Sequence, residues 1–184
     1  MKKTVMISLL IGASLFATDY SKVITHPDAS KMIEKDLLAP PKVYTMPAGC
    51  ITNDSDAIAR GKYIFNNLNG KKAKKNPPKG LSRRQMKAGV TYLPGQKIPF
   101  KQYGNCVACH NIEGARGAGN IGPDLTDYKE NFIDTEGRNH QFVYQKIADA
   151  RIDNPETHMT INLTTKLFTP REICDIASYI VSPK

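Results

Sequence analysis

The chain has 184 residues, with 26 Lys or Arg against 17 Asp or Glu, a net charge of +9, and 40% apolar residues. A chain of this size supports one compact domain with some decoration. Beyond the leader described next, no segment is apolar enough to span a bilayer.

The chain opens MKKTVMISLLIGASLFA. Lys2 and Lys3 give a positive start, Thr4 to Phe16 an apolar core too short to cross a membrane, and Ala17 a small residue suited to cleavage. This pattern predicts a secretory signal peptide over residues 1–17 and export to a bacterial periplasm. Residues 18–52 read as an N-terminal extension and 53–184 as the main domain. There, Asn53-Asp54-Ser55 offers helix N-cap residues, and Ile58, Gly61, Phe65 and Leu68 follow at helical spacing.

Residues 67–101 form a long polar insert. Its 71–87 stretch, KKAKKNPPKGLSRRQMK, holds eight basic residues and no acidic one. Without Lys2 and Lys3 the chain has 24 basic against 17 acidic residues, so outside this stretch its balance is −1. The positive charge is therefore local, and a local patch steers an acidic partner. Pro77-Pro78 and Gly80 predict an extended or mobile loop rather than a helix. Nucleic acid is not an expected partner, because the chain is exported and no aromatic residues are interleaved for stacking.

From Tyr103 to Thr126 the sequence reads YGNCVACHNIEGARGAGNIGPDLT. A structural zinc site needs four ligands, usually from two paired knuckles, and the other cysteines, Cys50 and Cys174, are isolated. A thioredoxin-like dithiol wants its C-x-x-C between a strand and a helix, and Tyr103-Gly104-Asn105 does not read as a strand. The remaining reading is c-type haem attachment. The thiols of Cys106 and Cys109 add across the two vinyl groups of one haem, and His110 becomes the proximal ligand. Cys50 and Cys174 are then the two remaining thiols in an oxidising compartment. A disulfide between them is expected to pin the extension onto the last helix; the alternative is two unpaired cysteines.

A second helix is predicted from about Asn139 to Ala150, with Val143, Ile147 and Ala150 on one stripe. Met159 follows in THMTINLTT, beside His158. Thr169-Pro170-Arg171-Glu172 is a capping box with proline at the first helical position, and Ile173, Ile176, Ala177 and Ile180 supply an apolar face. Nothing alternates for long enough to demand a sheet, so the fold class is all-α.

This arrangement resembles the class I cytochrome c fold, in which the first and last helices cross over the haem. The chain reads as such a fold with an N-terminal extension and a basic loop insert. The resemblance offers a role for Gly61, which would let the last helix approach through Tyr179; simple tolerance of a glycine is an equal alternative. It also implies Met159 as the distal ligand, with His158 as its rival, and leaves Met32, Met46 and Met86 to packing or loops. Gly122-Pro123-Asp124-Leu125 is similar to the G-P-x-L segment of that family. There the proline carbonyl, here of Pro123, accepts a hydrogen bond from the proximal histidine, and Leu125 would pack on the haem face. An ordinary turn is the alternative.

The elements DAIARGKYIF, GNCVACH, GNIGPDLT, the Met159 region and TPREICDIASYI together resemble the SoxX family of bacterial sulfur oxidation, over roughly Asp54 to Val181. The resemblance implies an electron-transfer subunit paired with a larger SoxA-like cytochrome. Such a pair is an L-cysteine S-thiosulfotransferase, which joins thiosulfate oxidatively to a cysteine of a SoxYZ-like carrier protein. The catalytic cysteine is expected on the partner subunit, and the electrons pass to a downstream acceptor. Two features depart from the family: the length of the insert and the lack of a proline-rich flank around Met159. Competing classes are a generic periplasmic electron carrier docking on an oxidase or reductase, a haem sensor or peroxidase-like enzyme, and a zinc or dithiol module.

Overall fold

Thr169 caps the helix Pro170–Val181 by the reciprocal contacts its sequence predicts. Its hydroxyl accepts from the Glu172 N–H at 3.2 Å, and the Glu172 carboxylate accepts from the Thr169 N–H at 2.9 Å. The computed structural model describes residues 40–68, 76–82, 91, 93–98, 101, 103–115, 117–160, 162 and 167–183. The predicted signal peptide, Met32, Met86 and seven of the eight basic residues of the 71–87 stretch lie outside the described residues.

Among the described residues three α-helices carry the architecture: α1 (Ser55–Phe65), α2 (His140–Ala148) and α3 (Pro170–Val181). Among the described residues there is no strand, and no helix is long and apolar enough to cross a membrane. Helix α1 begins at Asp54, whose carboxylate accepts from the N–H groups of Asp56 and Ala57. It ends at Phe65, because the Asn66 side chain turns back to the Lys62 carbonyl at 3.0 Å. Leu68, expected on its apolar stripe, lies past that cap and is 41% exposed. Helix α2 is also shorter than predicted. Asp149 takes an extended conformation, and its carboxylate caps a separate 3₁₀ turn, Ala150–Ile152.

Helices α1 and α3 cross at Gly61. A Cβ there would lie 1.9 Å from the Asp175 carbonyl oxygen and 2.8 Å from Tyr179 Cβ, so the crossing requires glycine. This decides between the two readings of Gly61 in favour of close approach. Next to it Arg60 forks onto Asp175, with both bonds at 2.8 Å and both residues buried. Phe65 and Tyr179 meet edge-on with ring centroids 5.6 Å apart.

Helix α3 is buried far beyond its apolar stripe. Its polar residues stay inside because each has a partner. Glu172 pairs with Lys101, Asp175 with Arg60, and the Ser178 hydroxyl accepts from the Thr52 N–H at 3.1 Å. Cys174 is joined to Cys50 in the expected disulfide, across 124 residues of sequence. The described part of the insert is anchored rather than loose. Leu81 closes a turn onto Pro78, Gly80 lies against Arg60 and Arg171, and the Tyr103 hydroxyl donates to the Ser82 carbonyl at 3.0 Å.

The extension runs past α2 as an extended strap. Its Lys42, Tyr44 and Met46 N–H groups donate to Asp149, Gln145 and Gln141, residues four apart on α2 and its C-cap. Two extended residues advance about 6.6 Å and four helical residues about 6 Å, so the two periodicities stay in step.

Candidate haem-attachment site

Tyr103 anchors the approach to the motif. It is buried, edge-on to Tyr63, with the Lys101 ammonium over its ring. Asn105 then adopts a left-handed conformation (φ 45°), one that asparagine tolerates better than most residues, and launches a 3₁₀ turn over Cys106–Ala108. Both the Cys109 and His110 N–H groups donate to the Cys106 carbonyl. The turn thus gathers two unbonded thiols and one imidazole within five residues. Val107 points into the core, Cys106 packs partly against it, and Cys109 is exposed.

The glycine-rich loop wraps onto this turn. Gly119 donates to the Val107 carbonyl at 2.9 Å, and a Cβ on Gly119 would sit 1.9 Å from the Ala108 oxygen. Gly122 donates to the Cys109 carbonyl at 2.8 Å, and its own Cβ would lie 2.4 Å from His110 Cε1. The backbone therefore lies flat against the imidazole, which only glycine permits. The next residue fixes the ring: His110 Nδ1 and the Pro123 carbonyl oxygen are 2.9 Å apart. A carbonyl can only accept, so Nδ1 is the donor, and Nε2 is the nitrogen left to act as a ligand in the neutral ring. The contact joins the two residues that the family resemblance pairs.

Leu125 is buried in the main apolar cluster, and its N–H donates to the Asn111 carbonyl at 2.9 Å. Met159 packs partly buried against the same cluster, whereas His158 is exposed. Met46 is held in the strap, with its N–H on Gln141. Sequence reasoning missed the bond from Asn111 Nδ2 to Asp124 Oδ2 at 2.8 Å, which ties the residue after His110 to the residue after Pro123.

These residues fit a covalently held haem. Two unpaired thiols stand on one turn, beside an imidazole whose free nitrogen is defined by the bond at the other. They fit a redox dithiol poorly, because burial pushes the Cys106 thiol up to about 12, against the lowered value a nucleophilic thiolate needs.

Comparison with known proteins agrees. Residues 94–184 match the family model described as Cytochrome c. A protein of Aquifex aeolicus (strain VF5), described as an uncharacterized lipoprotein, is 33% identical over 112 residues, which is 58% of this chain and 49% of that protein. The chain thus spans about half the length of the curated relative it matches.

Proposed function

We propose, from the match of residues 94–184 to the Cytochrome c family model, that this electron-transfer haem protein works as the monohaem subunit of a SoxAX-like pair. The observation that carries the reading is the G-N-C-x-x-C-H turn laced to G-N-I-G-P-D-L through His110 and Pro123. The haem supplies a one-electron iron couple when bound. Cys106 and Cys109 would tether it through thioethers, and His110 Nε2 and the Met159 thioether would hold its iron. Donation from His110 Nδ1 to Pro123 holds the ring and raises the basicity of Nε2. Val107, Ile112 and Leu125, from the turn and the segment laced to it, are buried in the main apolar cluster. A methionine ligand raises the potential and suits electron transfer over catalysis, consistent with a partner that does the sulfur chemistry.

Export to the periplasm is supported by the leader MKKTVMISLLIGASLFA and by the description of the Aquifex relative as a lipoprotein. The partners are a SoxA-like cytochrome, a SoxYZ-like carrier and a downstream acceptor. The test is copurification from the native source, followed by a thiosulfate-dependent assay with and without this chain. Recovery with a larger haem subunit, and loss of turnover when the chain is withheld, are the expected results. A chain that purifies alone and leaves the assay unchanged is instead a freely diffusing carrier that docks on an oxidase or reductase.

A further inference from the structure

The contact between His110 Nδ1 and Pro123 depends on the orientation of one peptide plane, and the residue that completes that plane is Asp124. Asp124 is held from both sides. Its Oδ2 accepts from Asn111 Nδ2 at 2.8 Å, and its Oδ1 accepts from the Thr126 N–H at 2.8 Å. Asn111 Nδ2 also reaches Thr126 Oγ1 at 3.5 Å, and the Asn111 carbonyl takes the Leu125 N–H at 2.9 Å. Segments 109–111 and 122–126 are thereby laced at four successive levels. Gly122 bonds Cys109, Pro123 bonds His110, Asp124 bonds the Asn111 side chain, and Leu125 bonds the Asn111 backbone.

We propose that Asn111 and Asp124 are a positioning pair for His110, holding the Pro123 carbonyl in line with Nδ1 and so setting the basicity of the ligand nitrogen. The pair acts through the Pro123–Asp124 peptide. Backbone bonds alone leave that peptide free to tilt, because those of Gly122 to Cys109 and of Leu125 to Asn111 fix only its flanks. The two side chains remove this freedom. An exposed carboxylate can do so because three hydrogen bonds converge on its two oxygens and its neighbour. The same bonds from Thr126 and Asn111 hold the Asp124 carboxyl below the usual carboxylate range. The inference rests on His110 being the proximal ligand.

The test uses the intact haem-loaded protein and two readouts besides activity. These are the exchange rate of the His110 Nδ1 proton by NMR in the reduced state, and the reduction potential. Asp124→Ala is expected to speed exchange about tenfold, the consequence of losing roughly one anchoring hydrogen bond. It also raises the potential, because a weaker bond from Nδ1 leaves Nε2 a poorer donor to ferric iron. Asn111→Ala breaks the same bridge from its other end and serves if Asp124→Ala does not accumulate. The reciprocal swap, Asn111→Asp with Asp124→Asn, rebuilds the bridge with donor and acceptor exchanged. In the swapped protein the amide at position 124 donates to the carboxylate at position 111, and the amide oxygen still accepts from the Thr126 N–H. Restoration of both readouts by the swap supports the proposal. It is overturned if the alanine variants melt earlier yet leave exchange and potential unchanged, or if the swap fails to restore them. A wild-type haem protein with no protected His110 ring proton would sink the ligand assignment itself, and the inference with it.

Discussion

Gln145 gives both ends of its amide to the strap: Oε1 accepts from the Tyr44 N–H at 2.7 Å, and Nε2 donates to the Lys42 carbonyl at 3.0 Å. Gln141 repeats the device one turn earlier, accepting from Met46 and donating to the Tyr44 carbonyl. Helix α2 thus serves as the hydrogen-bonding edge for a segment that has no neighbouring strand among the described residues. Gln145→Ala leaves two strap backbone groups without this partner and is expected to cost about 2 kcal/mol. Hydrogen exchange should quicken at Tyr44 while the α3 core amides keep most of their protection. Uniform loss of protection would mean that strap and core open as one unit.

The third rung of that ladder carries a charge. Asp149 is buried, and burial works to raise its pKa. The hydrogen bonds from the Arg151 side chain and from the Lys42 and Arg151 N–H groups outweigh this and hold it below the usual carboxylate range. A depressed carboxylate stabilises the fold at pH values above its unfolded value, near 3.9, and that contribution is lost as pH falls through the native value. The strap should therefore loosen below about pH 4. Asp149→Asn should flatten this acid limb while costing roughly 3 kcal/mol at neutral pH, since Arg151 loses the carboxylate. Urea midpoints measured from pH 2 to 7 on both proteins check the slope.

At the α1–α3 crossing the geometry leaves no slack. Gly61→Ala should cost about 1–3 kcal/mol or more, because its new methyl meets backbone rather than a movable side chain. Asp175→Asn should cost about 3–5 kcal/mol by leaving the buried Arg60 guanidinium without its carboxylate. The sites are adjacent, so the double variant should fall short of the sum. A strictly additive cycle would show that the ion pair does not depend on close approach.

How much of this was legible in the sequence follows from the range of each interaction. The α3 cap was readable because Thr169 and Glu172 are three residues apart, and the haem motif because it is five residues long. The Cys50–Cys174 pairing followed by elimination once Cys106 and Cys109 were assigned. The bonds that place helices and loops against one another were not readable. Arg60 and Asp175 lie 115 residues apart, and Gln145 and Tyr44 101 apart; each looks like an ordinary surface residue in its own segment. Glu172, Asp175 and Ser178 lie off the apolar stripe of α3, yet they are buried because partners distant in sequence cover them. The stripe overran at Leu68 for the converse reason, since a single side-chain bond from Asn66 ends α1 while the hydrophobic pattern continues.

Reduction of the disulfide tests whether the strap is held covalently or by its ladder. Closing a loop of 124 residues is worth about 5 kcal/mol in the chain-entropy model, with smaller values commonly measured. The Cys50→Ala/Cys174→Ala double variant should lose at most that much and should still attach haem, because Cys106 and Cys109 are untouched. In the oxidised, denatured holoprotein no free thiol should titrate. Two titratable thiols would show that the bond does not form in the exported protein.

Met159 and His158 compete for the distal position, and their surroundings separate them. Met159 packs against the apolar cluster that holds Leu125, with its N–H on Thr157 Oγ1 at 3.1 Å, whereas His158 faces solvent. A thioether ligand needs a dry, fixed setting, and a neutral imidazole would have to leave water to bind. Met159→Ala should convert the ferric protein to a high-spin or misligated form. Its potential should fall by a sizeable part of the roughly 0.8 V over which axial ligands set haem potentials. His158→Ala should leave spectrum and potential close to wild type. Cys106, Cys109 and His110 are intact in both variants, so haem stoichiometry stays at one per chain and serves as the control. The opposite pattern, an unchanged Met159→Ala spectrum with a sixth ligand lost in His158→Ala, would move the distal role to His158. The protein would then carry two imidazole ligands and a lower potential than an electron-transfer subunit with methionine ligation.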